Sequence, residues 1–178
     1  HPSSAIKDGS DLTAVNDLTA ILKATLPQVV YTHNLADKHD THVGVAFKLI
    51  AAIRSLPEAE RPKKLLGCEV WRDLDWMPDS EKIGLNVGGR DHLAMALMGL
   101  YDSQIAAGKR YDLATMGRRR AHATYAESHG VDVTESMIFA MDLTPLIEDD
   151  SLDPRDLVQE HIDRFAAEVQ ENMDAILR

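Results

Sequence analysis

The chain has 178 residues, 44% of them apolar, and carries 29 acidic against 19 basic side chains for a formal net charge of -10, which is the size and make-up of one globular domain spanning 1–178. A surface this acidic repels phosphate backbones and anionic lipid on average, so nucleic acid and membrane are excluded as leading partners. Cys68 is the single cysteine, there is no Cys-x-x-Cys pair, and no apolar run approaches the roughly 18 residues of a membrane span; a cytoplasmic protein is expected, and any metal site must draw on His, Asp or Glu.

In chain order, Leu12, Val15, Leu18, Ile21, Leu22 and Leu26 fall on one face of a helix over residues 11–26 that Pro27 stops. Val29-Val30-Tyr31-Thr32 is a short β-branched run and reads as a buried strand. A polar loop follows, and from Thr41 the residues Val45, Ala46, Leu49, Ile50 and Ile53 mark a second helix that ends at Leu56-Pro57. Residues 65–71 form another strand, 72–80 a loop rich in Asp, and 82–86 a short strand. Beyond Gly88-Gly89, helices are expected from Leu93 to about residue 107 and over 111–128, the latter kinked around Gly117. Residues 137–141 read as a strand, and Asp153-Pro154 opens a last amphipathic helix through Ile176. Strands alternating with helices predict an α/β fold: a three-layer, Rossmann-like sandwich with a mostly parallel sheet.

The segment from Thr32 to His42 carries the chemistry. It follows a strand and opens a helix, the edge of an open α/β sheet where ligands bind. His39 and His42 lie three apart across the helix start, and His42 is in phase with the apolar row Ala46, Leu49, Ile53, so it faces inward. A neutral imidazole is a good metal ligand, and a second one supplies a proton or a hydrogen bond to developing negative charge. Two histidines in a polar loop are also commonly caps or solvated residues, and a metal needs three or four ligands.

The run 26–53, with its strand ending in Tyr31-Thr32-His33 and its Asp37-x-His39-x-x-His42 pattern, resembles the second motif of the PIG-L/LmbE family of zinc-dependent N-deacetylases. Ser103-Gln104, ahead of an arginine-rich segment, is similar to that family's C-terminal half, so the likeness runs from about residue 11 to 145. It implies zinc held by two histidines and an aspartate, a second aspartate as general base, and a histidine that stabilises the oxyanion of amide cleavage. On this sequence it implies His42 as the zinc ligand and His39 as the oxyanion-stabilising or proton-donating histidine. The family's first motif, of Ala-His-Pro-Asp-Asp-x-Glu type, does not occur, and Thr41 stands where an aspartate usually precedes the ligand; Asp37 or Asp40 would then orient His39. The chain accordingly reads as starting partway into such a domain: a fragment, a chain whose other half is supplied separately, or a degenerate member.

Arg72 after the Trp71 strand end, and Lys109 and Arg110 in the basic stretch, are candidate substrate-binding residues for a carboxylate or phosphate, although most such cations pair with the excess acids. Trp71 and Trp76 are candidates for stacking on a sugar or for the core; His92, His122, His129 and His161 show no ligand-like grouping; and Cys68 sits in an apolar strand where a thiol is inert. The expectation is a zinc-dependent hydrolase, another divalent ion being possible, that removes an acyl group from a small N-acylated substrate such as an N-acetyl amino sugar. His39, Asp37 and Asp40 are its catalytic candidates and His42 its metal ligand, in a homo-oligomer or in association with the missing N-terminal portion. The alternative is a non-catalytic binding or assembly module that keeps the fold with an incomplete metal site.

Overall fold

Two helices open the computed structural model, which describes residues 1–127 and 129–178: α1 (Ser3–Lys7) and α2 (Thr13–Thr25). Leu26 closes α2 in a left-handed conformation, φ 43°, and its N–H donates to Leu22 O; Pro27, which cannot continue a helix, follows. The chain then forms β1 (Val29–His33), α3 (Asp40–Arg54), β2 (Lys64–Cys68), β3 (Ile83–Asn86), α4 (Asp91–Gly99), α5 (Tyr111–Tyr125), β4 (Met137–Asp142), α6 (Pro145–Glu148) and α7 (Pro154–Leu177). The strand order is β1-β2-β4-β3. Two compact units result: His1–Ile83 together with Ala140–Arg178, and Gly84–Phe139.

In the first unit β1 and β2 run parallel, with Val29 opposite Lys64 and His33 opposite Cys68, connected through α3. β4 pairs antiparallel with β2, Leu66 opposite Asp142 and Cys68 opposite Ala140, so the sheet is mixed and the expectation of a mostly parallel sheet is corrected. The physical reason is that an apolar run buried on both faces looks the same whichever way it is threaded. Phe139, Ala140 and Met141 are all buried and carry no alternation that would mark direction.

α3 is the pillar of this unit. Ala46, Leu49, Ile50, Ala52 and Ile53 are buried on it, and it packs against β1, α1, α2 and α6. Gly44 lets α1 approach: a Cβ there would meet the Ile6 carbonyl oxygen at 2.9 Å. Lys48, buried on α3, donates through Nζ to the carbonyl oxygens of Asp8 and Asp11, satisfying its charge with backbone and holding the α1–α2 turn.

Two arginines fasten the segment after β4. Arg54 donates from Nε to Leu146 O at 2.6 Å and from Nη2 to Leu152 O at 2.7 Å. Arg61, its side chain only 10% exposed, donates to the carbonyl oxygens of Leu56, Ile147 and Arg54 and forks onto both carboxylate oxygens of Asp150. Arg61→Ala strands three carbonyl groups and is expected to cost about 2–3 kcal/mol in chemical denaturation. The Asp150 carboxyl is held below its ordinary range, chiefly by the hydrogen bonds from Arg61. Its contribution is therefore present above the ordinary carboxylate range and fades as the pH falls through the lowered value, so the variant should also lose that acid-side fall. A wild-type midpoint for the variant at neutral pH would overturn this reading.

The second unit is described by itself. The helix expected to reach residue 107 ends at Gly99, and a 3-10 turn, Asp102–Gln104, and Gly108 at φ 94° follow. Gly99, the poorest helix former after proline, stands at the end of the helix although apolar residues continue beyond it. α5 is continuous through Gly117, with no interruption, and the expected end at residue 128 lies outside the described residues. His122 on α5 is buried against Phe139, ring centroids 4.7 Å apart, and Val87 N–H donates to Ser136 O. No helix among the described residues is long and apolar enough to cross a membrane.

Candidate active site

The parallel pair β1–β2 ends side by side at His33 and Cys68, and the chain leaves the sheet there on both strands. Asn34, fully buried, secures the exit: its backbone N–H and its Nδ2 both donate to Cys68 O, and its Oδ1 accepts from Ala36 N–H at 3.0 Å. Gly67 permits this, because a Cβ there would meet the Asn34 Cα at 3.0 Å and Leu143 Cδ1 at 2.9 Å. The loop then turns into α3, whose N-cap is His39: its Nδ1 accepts from Thr41 N–H at 3.3 Å. That bond leaves the proton of the neutral ring on Nε2.

Asp37 lies beneath the histidines with its side chain wholly buried. Oδ1 accepts from His39 N–H at 2.9 Å and Oδ2 from Trp71 N–H at 3.1 Å, so one carboxylate joins the loop after β1 to the loop after β2. Oδ1 is also 3.4 Å from His42 Nδ1, a nitrogen that is buried without a closed hydrogen bond. This contact favours the proton on Nδ1 and leaves Nε2 of His42 as the free lone pair, the arrangement of a metal-ligating histidine backed by a carboxylate.

Three imidazoles stack above Asp37. The His33 and His42 rings are 3.9 Å apart and within 7° of parallel; His39 and His42 are 4.7 Å apart at 18°. Burial pushes the His42 value down against the opposing pull of Asp37, and burial together with the neighbouring His42 pushes His33 down. Both are therefore neutral at pH 7, the form that binds metals.

Of the residues singled out from sequence, His39, His42 and Asp37 are brought together. Asp40 is the exposed first residue of α3, where it faces the positive end of the helix dipole. Arg72 is exposed and directly follows Trp71, whose N–H anchors on Asp37; Trp71 itself is 37% exposed and is not core. Lys109 and Arg110 belong to the other unit, where Arg110 forks onto Asp112 at 3.0 and 2.7 Å and Lys109 Nζ lies 5.9 Å from the Tyr111 ring centre. Trp76 donates from Nε1 to Asp73 O. The Cys68 thiol is pushed up to about 11 by burial, as expected of an inert thiol. His161, by contrast with a surface residue, is buried and paired with Glu81.

His33 is the member to which sequence reasoning gave no role. Its signal was its position, last in the strand, which in an open α/β sheet is the ligand-binding edge. Zinc, the metal the resemblance implies, is only partly matched: His42 with Asp37 behind it suits one ligand position, but among the described residues no group of three or more His, Cys, Asp or Glu is placed to hold a metal ion. No protein-family model, no curated protein and no solved structure matches this chain.

Proposed function

We propose that the cluster at the end of β1 is part of the active site of a metal-dependent hydrolase of PIG-L/LmbE type, with a Rossmann-like fold, that removes an acyl group, such as acetyl, from a small N-acylated substrate of the amino-sugar class. The observation that supports it is the buried Asp37–His42 contact under the stacked histidines, the carboxylate–imidazole unit that fixes a ligand nitrogen. Zinc, when bound, polarises the amide carbonyl and acidifies water.

The residues of this chain have separate tasks in that reading. Asp37 holds the His42 ring and the His39 backbone and is a positioning residue, since its oxygens are already engaged. His39, with its proton on Nε2, donates a hydrogen bond to the oxyanion, while the proton that the general base takes from water passes to the departing amine as the C–N bond breaks. Arg72 and the exposed Trp71 indole offer an anion partner and a stacking face for a sugar beside the cluster. The other ligands and the general base belong to residues outside this cluster, in a homo-oligomer or on a segment supplied separately. The free thiol of Cys68 agrees with a cytoplasmic setting.

Metal content by elemental mass spectrometry, read beside N-acetyl sugar turnover, tests the assignment. Wild type should carry about one zinc per chain, His42→Ala should lose it, and His39→Ala should keep it while turnover falls roughly a hundredfold or more. Full activity in either variant refutes the roles. A wild-type chain still metal-free after zinc is offered favours the binding or assembly module instead.

A further inference from the structure

Asp37 by itself does not hold the His42 ring. Its Oδ1 stands 3.4 Å from His42 Nδ1, longer than an ordinary hydrogen bond, and that buried nitrogen has no closed bond. A contact of this length favours one edge of the imidazole but leaves the ring free to tilt about it. The tilt matters because the lone pair of Nε2 lies in the ring plane, so the plane decides where that nitrogen points.

The faces of the ring supply what the edge lacks. His33 and His39 both stack on His42, and His33 is the closer and more nearly parallel of the two, with ring centres 3.9 Å apart and planes within 7°. The two neighbours also differ in what carries them. His39 is the N-cap of α3 and belongs to the same helix start as His42. His33 is the last residue of β1, opposite Cys68 in the parallel pair, and the next residue, the fully buried Asn34, bonds twice to Cys68 O. The His33 face therefore refers the His42 ring to the sheet, the rigid side of the site.

The same geometry keeps His33 from being a ligand beside His42. An ion about 2 Å from His42 Nε2 sits in the plane of that ring. The His33 plane runs almost parallel to it, and the lone pairs of His33 lie in their own plane, so the two rings do not aim at one ion.

We propose that His33 is a second positioning residue of this site: the flat face of its imidazole holds the His42 ring at the tilt that keeps Nδ1 towards Asp37 and fixes the direction of the Nε2 lone pair. The consequence for metal binding rests on the hydrolase reading, whereas the hold on the ring does not.

Nuclear magnetic resonance of the full chain with isotope-labelled histidine tests the hold, and titration with zinc alone tests its consequence. Wild type should show a single His42 tautomer with the proton on Nδ1. In His33→Ala the two tautomers should average, and zinc should be held at least about tenfold more weakly, the loss usual for a group that orients a ligand. His33→Phe has a flat face and no nitrogen, so it should restore the single tautomer and bring zinc affinity within about threefold of wild type. His33→Leu, with bulk but no flat face, should behave as the alanine variant. Circular dichroism shows which variants are folded, and if the alanine variant is not, phenylalanine against leucine carries the same decision. A folded His33→Ala or His33→Leu protein with the wild-type tautomer overturns the proposal. So does a folded His33→Phe protein in which the tautomers average, because the imidazole would then act through a nitrogen. A wild-type chain that takes up no zinc refutes the hydrolase reading instead, and the tautomer signals still decide the role of His33.

Discussion

Replacing Asp37 by alanine should cost about 1–2 kcal/mol and abolish whatever metal binding and turnover the chain supports. The carboxylate side chain has no solvent-exposed surface, and each of its oxygens is engaged: His39 N–H and the edge of His42 on one side, Trp71 N–H on the other. Truncation leaves those donors without partners, frees the loop after β1 from the loop after β2, and removes the group that selects the His42 tautomer. Asp37→Asn separates these effects. The amide oxygen still accepts one backbone bond while its NH2 opposes the other donor, so most of the stability should return without the tautomer control. Denaturation midpoints, metal content and the histidine proton resonances of both variants decide the matter. A stable Asp37→Ala protein with the wild-type His42 resonance would falsify the positioning role.

The second large effect is expected at Ile53, which is wholly buried on the last turn of α3 in the row with Ala46, Leu49 and Ile50. Ile53→Ala should destabilise the first unit by about 3–4 kcal/mol, the lost transfer energy plus the unfilled cavity, whereas Ile53→Val should cost about 1 kcal/mol. The histidine cluster sits at the opposite end of α3, so the folded fraction of either variant should keep the wild-type histidine proton resonances. Guanidinium denaturation followed by circular dichroism gives the costs. A loss below about 1 kcal/mol for the alanine variant would mean that the core around α3 recloses, contrary to a close-packed interior.

These two positions differ in how plainly the sequence announces them. Ile53 belongs to a repeat at helical spacing, and that repeat alone predicts the helix, its buried face and its end near Pro57. The strand at β1 and the last helix were equally legible in position, because their apolar residues and their proline boundaries agree. β1 was expected to be buried and instead leaves Val29 and Tyr31 exposed, since periodicity does not say which faces of a strand are covered. α1 was not, being five residues without a buried side chain; it is held by its approach to Gly44 and by Lys48, both contributed from α3. The helix after Gly89 was expected too long because apolar residues continue past Gly99, and periodicity does not register a glycine that ends it.

The candidate site divides the same way. A histidine pair three residues apart at a strand-to-helix junction identifies His39 and His42 as partners across a helix start, since local geometry is set by spacing. That Asp37 would be buried and that Trp71 N–H would reach it across the β1–β2 edge depend on strands brought side by side from residues more than thirty apart, and that His33 would stack on His42 depends on how α3 folds back against β1. Spacing along a chain carries no information about such pairings.

What the sequence by itself determined is most of the longer helices and the four strand segments, the acidic composition and the loop that holds the histidine pair, all consequences of local pattern and composition. Only the tertiary structure decided that β4 runs against β2, that Asp37 supports its neighbours from beneath with both oxygens engaged, and that residues 166–178 of α7 are exposed. Strand direction, the satisfaction of a buried charge and the exposure of a helix face are each fixed by which distant segment lies alongside, and that is a property of the packed chain.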